Sequence, residues 1–153
     1  MTAEILARLI NDSLRKHGFK KKGSTWHLES PECISVLNVQ RSQWGDKYYI
    51  NLGVLVKQLD NIPSPKEYQC HFRDRLSHIV GNSAKMELEP DFEDPSSTEE
   101  QKAQTVREAI ETHAIPLLLS LQTLEGIKRT FSEKRISPAF AADKLTKLLG
   151  ISG

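Results

Sequence analysis

The side chains in this sequence with chemistry to offer are five histidines, two cysteines and two arginines spaced two positions apart. His17, His27, His71, His78 and His113 form no pair at the i, i+4 spacing that puts two ligands on one helix face. Cys33 and Cys70 lie 37 positions apart, and the adjacent pair Cys70-His71 points in different directions in either a helix or a strand. These spacings predict no metal site. Gly23, Gly45 and Gly53 are isolated, and no Gly-Lys-Ser/Thr follows a strand, so no phosphate-binding loop and no cofactor are expected. A Cys–His nucleophile can assemble in space rather than in sequence. Cys70 sits among the cations of Gln69-Cys70-His71-Phe72-Arg73-Asp74-Arg75, which can lower a thiol pKa, whereas Cys33 opens a strand and reads as core.

Three surfaces follow from these residue types. Arg73 and Arg75 share a face if their segment is extended and diverge by about 200° if it is helical. They are the best anion candidates in the chain, although a salt bridge to nearby acids explains them equally well. His71, Arg73 and Asp74 would suit a small hydrolase or transferase if they converged in a pocket. Lys20-Lys21-Lys22 beside Trp26 and His27, and Arg41 near Trp44 and Tyr48-Tyr49, resemble the cation-plus-ring surfaces that bind single-stranded nucleic acid. The formal net charge of +1 argues against strong non-specific binding of that kind.

The elements that must position these residues can be read from periodicity. Residues 3–17 form an amphipathic helix with an apolar stripe of Ile5, Leu6, Leu9, Ile10 and Leu14, capped by Thr2 and ended by Gly18. Two short strands follow at 19–22 and 25–29. A third spans Cys33 to Ser42, with Ile34, Val36 and Asn38 on one side and Cys33, Leu37 and Val39 on the other. Tyr48 to Val56 is the strongest strand. Its even positions are all apolar, while Tyr49, Asn51, Gly53 and Leu55 make a mixed reverse face. If it pairs with the preceding strand, Gln40, Ser42 and Asn51 form a polar patch with Arg41 or Arg73 at its rim, and Gly53 admits a ligand or another chain. Residues 68–80 fit helix or strand, and 85–92 fit a short edge strand. A helix from about Thr98 to Thr112 should break or kink at Pro116, another spans Thr123 to Lys134, and Pro138 should start the last, which Gly150 stops.

With 153 residues, 38% hydrophobic and 27% charged, the chain can bury one core and is expected to form a single domain, 1–153. Its charge is uneven: +4 over residues 1–57, −6 over 58–114 and +3 over 115–153. No apolar run approaches the ~20 residues of a membrane helix, and two cysteines suit a reducing, cytoplasmic setting.

Several motifs, in order, resemble a bacterial family, the domain of unknown function 4304 family. They are Gly18-Phe19-Lys20-Lys21-Lys22-Gly23 with Trp26, Val39-Gln40-Arg41-Ser42 with Trp44-Gly45, Tyr48-Tyr49-Ile50-Asn51-Leu52-Gly53, and Cys70-His71-Phe72-Arg73-Asp74-Arg75-Leu76. The resemblance covers roughly residues 5–130 and implies an α+β domain, mostly stand-alone in bacteria, with no activity attached. Small domains of this general kind sit beside toxin genes as immunity proteins, which makes toxin binding one expectation.

The predicted fold is α+β: a mainly antiparallel sheet of four to six strands, with the N-terminal and C-terminal helices packed on one face. The predicted function is non-enzymatic binding of a protein partner through a polar and aromatic sheet face of Gln40, Arg41, Ser42, Trp44, Tyr49, Asn51, His71, Arg73 and Arg75. The enzyme around His71, Arg73 and Asp74 and the single-strand binder are the alternatives. Nucleic acid is disfavoured, no membrane is expected, and a homo-oligomer stays open.

Overall fold

A computed structural model describes residues 1–43, 47–80 and 98–152. Its centre is a five-stranded sheet in sequence order, each strand antiparallel to the next: β1 (Lys20–Lys22), β2 (Thr25–Glu29), β3 (Cys33–Arg41), β4 (Tyr48–Val56) and β5 (Phe72–Arg75). Short links join β1 to β4 in turn, as antiparallel neighbours allow, while residues 57–71 form a longer connection from β4 to β5. With its surrounding helices it is an α+β fold, as the sequence predicts.

Helix α1 (Ala3–Arg15) begins where the Thr2 hydroxyl accepts the Ile5 N–H, and Gly18 follows it at φ 88°. It buries Leu6, Ile10 and Leu14 against the sheet, each such side chain contributing about 1.5–3 kcal/mol. Ile5, expected in the stripe, faces solvent. The even positions of β4 meet α1 in a core shared with Phe72, Leu117, Leu118, Phe131, Leu145 and Leu149. Polar groups on this side are satisfied: the Trp26 indole donates to Asn11 Oδ1 at 3.0 Å, and Ser35 Oγ donates to the Leu118 carbonyl at 2.8 Å.

Residues 68–80 turn out to be both alternatives in succession. A 3-10 turn (Glu67–Gln69) leads into β5, which gives way at once to helix α2 (Leu76–Val80). The switch is made by Asp74, whose Oδ1 accepts the Arg75 N–H at 2.8 Å and holds His78 Nδ1 at 2.8 Å across the first helical turn. The expected strand at 85–92 lies outside the described residues. Helix α3 (Glu99–Glu108) starts in a capping box of Thr98 and Gln101.

Pro116 does not break the run that follows. A π-helical turn (Ala109–Ala114) intervenes, so Pro116 falls in the first turn of α4 (Ile115–Ser120), where its missing N–H leaves no helical bond unmade. Helix α5 (Leu124–Ser132) is capped by Thr123. The final helix is shorter than expected. Pro138 opens only a 3-10 turn (Pro138–Phe140), and α6 (Asp143–Leu149) begins later, ending at left-handed Gly150. Ala141 and Ala142 are drawn out of helical geometry to pair with β5: Ala141 bridges Phe72, and the Ala142 N–H donates to the His71 carbonyl at 2.7 Å.

The reverse face of the sheet is not uniformly open. Residues 57–71, between β4 and β5, fold back over one end of it. There Ile34, Val36, Leu55 and Cys70 form a second apolar cluster, with Ile62 packed on it.

Candidate functional site

The register of the ladder decides which side chains share a face. Asn38 lies opposite Asn51, Gln40 opposite Tyr49, Asn51 opposite Arg75 and Gly53 opposite Arg73. Directly opposed residues point to the same side, so Gln40, Tyr49, Asn51, Arg73 and Arg75 stand together on the open end of the reverse face. Gln40, Asn51, Arg73 and Arg75 border a cleft of about 510 Å³ whose far wall is residues 139–142. Extended geometry therefore brings the two arginines to one side, as their spacing allows.

The two arginines are held differently. Arg73 makes a two-pronged pair with Glu67, Nε to Oε1 at 2.8 Å and Nη2 to Oε2 at 3.2 Å, so its charge is compensated within the fold. The Arg75 guanidinium instead lies over the Tyr49 ring, 3.9 Å from its centroid. Beneath them Asn51, only 5% exposed, donates from Nδ2 to Asn38 Oδ1 at 3.2 Å and to Gln40 Oε1 at 3.1 Å.

Arg41, Ser42 and His71, expected in the patch, do not serve as its open contacts. Arg41 lies opposite Tyr48, whose side chain joins the helical core, so its parity is that of the other face. Ser42 is past the end of β3 and buried, its N–H closing on the Lys47 carbonyl at 2.8 Å. Trp44 lies outside the described residues. His71 borders the cleft but is 3% exposed and committed to structure. Its Nδ1 accepts the Val56 N–H at 2.8 Å, which fixes the proton on Nε2, and Nε2 donates to Asp60 Oδ2 at 2.6 Å. That carboxylate also pairs with Lys144 on α6, and the His71 bond, with Lys144 second, holds it below the ordinary carboxylate range. His71 thus ties the 57–71 segment to β4 and to α6.

His71, Arg73 and Asp74 of the enzyme alternative all border the cleft, but each is paired with a neighbour rather than with the other two. His71 turns to Asp60, Arg73 to Glu67, and Asp74 to His78. Burial raises the Cys70 thiol to about 12, with Glu67 adding to the shift, and burial does the same to Cys33. Both sulfurs stay protonated at neutral pH and are poor nucleophiles. Among the described residues, no group of three or more His, Cys, Asp or Glu side chains could hold a metal ion, and no helix is long and apolar enough to cross a membrane.

Among the described residues, two of the rings expected to stack nucleic-acid bases are engaged within the fold. Trp26 is wholly buried, and Tyr49 is covered by Arg75. The room that Gly53 leaves is filled by this chain: an added Cβ would meet the Phe72 carbonyl oxygen at 2.8 Å and Cys70 Cβ and Sγ at 3.0 Å. The residue that sequence reasoning missed is Phe140, 45% exposed on the cleft wall with its ring 6.0 Å from that of His78. Its only sequence signal is an aromatic in an alanine-rich stretch after proline.

A family model described as a domain of unknown function (DUF4304) matches residues 10–120. No curated protein and no solved structure gives a match.

Proposed function

The chain belongs to the DUF4304 family, and from that premise we propose that it is a bacterial, cytoplasmic, non-enzymatic protein that binds a protein partner through the open end of the sheet's reverse face. The observation that carries this reading is the arginine stacked on Tyr49 at 3.9 Å, beside a concave polar cleft on a rigid sheet. Arginine and tyrosine are the residue types most enriched where interfaces concentrate their binding energy. Held over the ring, the guanidinium has given up conformational freedom before any partner arrives, so less is lost on binding. Exposed Phe140 adds an apolar anchor on the opposite wall. The two free, buried cysteines are compatible with a reducing compartment.

The test is capture from native lysate by immobilised wild type, Arg75→Glu and Lys22→Glu, followed by titration of the purified captured protein. Lys22 lies on β1 at the far edge of the sheet. A partner kept by wild type and Lys22→Glu but lost by Arg75→Glu supports the reading. Equal retention by all three contradicts it.

A further inference from the structure

The hydrogen-bond polarity of the cleft floor can be followed residue by residue. The Ser24 carbonyl can only accept, so the Asn38 group facing it at 3.3 Å is Nδ2, which also reaches Thr25 Oγ1 at 3.0 Å. Asn38 Oδ1 must then face Asn51, so Asn51 presents Nδ2 to it and to Gln40 Oε1. Three groups are left over at the cleft. Among the described residues, Asn51 Oδ1 accepts no hydrogen bond, Gln40 Nε2 donates none, and the Arg75 guanidinium has neither a hydrogen bond nor an ion pair. Asn51 is 95% buried as a residue, yet no buried side-chain N or O among the described residues lacks a partner, so its Oδ1 is the part that opens to the cleft.

Resting on the docking surface proposed above, we infer that this cleft captures the free carboxyl end of a polypeptide. Arg75 supplies a planar fork that matches a carboxylate, and Gln40 Nε2 adds a neutral donor. Asn51 Oδ1 asks for an N–H. Asn51 and Arg75 are directly opposed, which sets their Cβ atoms about 4.5–5.5 Å apart. Acceptor and fork rise from opposed positions on one face, with the fork held over Tyr49, so an N–H and a carboxylate carried by one residue can meet both. The last residue of a chain has that pattern, with one carbon between the two. An internal aspartate or glutamate separates them by two or three carbons, and a phosphate ion has no N–H. The nearby acids leave the fork available: Glu67 is engaged by Arg73, and Asp74 by His78 and the Arg75 N–H. Phe140 and the alanines beside it offer an apolar wall to the terminal side chain, and the volume suits a ligand cleft, typically about 300–1,000 Å³.

The experiment titrates the full-length, ¹⁵N-labelled protein with N-acetylglycine, which carries both groups. Comparison probes are acetate, N-acetylglycinamide and N-acetyl-aspartic acid α-amide. The expected result is saturable shifts of Arg75 Nε–H and of the Asn51 and Gln40 side-chain amides with N-acetylglycine. Each comparison probe should bind about tenfold more weakly or worse, and Arg75→Gln should lose the response. Equal binding of acetate would reduce the cleft to a simple anion site and overturn the inference. Tighter binding of the aspartate probe, or no saturable shift, overturns it too. If the probes fail but Arg75→Glu still loses the captured partner, only the carboxyl-end assignment falls. If Arg75→Glu keeps the partner, the docking surface falls with it.

Discussion

Two ends of one sheet face, built on the same pair of strands, have opposite fates. At one end Ile34, Val36, Gly53 and Leu55 are covered by residues 57–71. At the other Gln40 and Asn51 line a cleft, with Asn38 bonded to Asn51 and Tyr49 beneath Arg75. Backbone geometry is common to both, so the side chains make the difference. Branched aliphatics give a returning segment something to pack on, and one glycine lets Cys70 and the Phe72 carbonyl come within reach. Amides and a tyrosine give it no such reward. The boundary falls between Asn51 and Gly53, two positions apart on β4, and each variant below tests one side of it.

Gly53→Val should have the largest effect. Its new Cβ would lie 2.8 Å from a backbone oxygen that cannot swing aside. We expect a loss of about 3 kcal/mol in urea denaturation. An unchanged midpoint would show that the covering segment is loosely held.

His71→Phe keeps bulk but removes the acceptor for the Val56 N–H and the donor to Asp60. The buried N–H left behind predicts a loss of about 2 kcal/mol by the same measurement. A neutral outcome would remove His71 from the account of how the sealed end is fastened.

Acid should act on that fastening as well. The Asp60 pKa is lowered from 3.8 in the folded protein, chiefly by the His71 hydrogen bond and next by Lys144. The unfolded chain therefore takes up its proton first as pH falls. The stabilisation is present above the ordinary carboxylate pKa and disappears as pH drops through the depressed folded value. Asp60→Asn should flatten the acid limb of the stability–pH curve below about pH 4 and change its slope little near neutrality.

Arg75→Gln should have the smallest effect on folding, within about 0.5 kcal/mol, because it removes a stacking contact at a cleft edge. It should also abolish binding. That pairing sharpens the contrast: at the sealed end substitutions cost stability, and at the open end they cost recognition.

Much of this was legible in the sequence. The even positions of β4 announce the core face, and all of them reach it. The reverse face was harder. Leu55, Ile34 and Val36 are apolar on the side read as available, but nothing in a proline-bearing segment at 57–71 says that it folds back onto them. Once the register is known, Gln40, Asn51, Arg73 and Arg75 fall on one side by parity alone. The register of β5 is set by pairing with β4 rather than by its own four residues, and local periodicity there remained divided between helix and strand. Pro138 misled for a similar reason. It is a good first residue for a helix, yet pairing of Ala141 and Ala142 with β5 delays that helix to Asp143.

The most direct test of the open end as the contact face is photo-crosslinking from two positions. A benzophenone amino acid replaces exposed Gln40 in the cleft or exposed Lys22 on β1, in otherwise unaltered protein. The account predicts a covalent adduct with a partner polypeptide from position 40 and none from position 22. Adducts from position 22 alone would put the contact at the lysine edge of the sheet and contradict it.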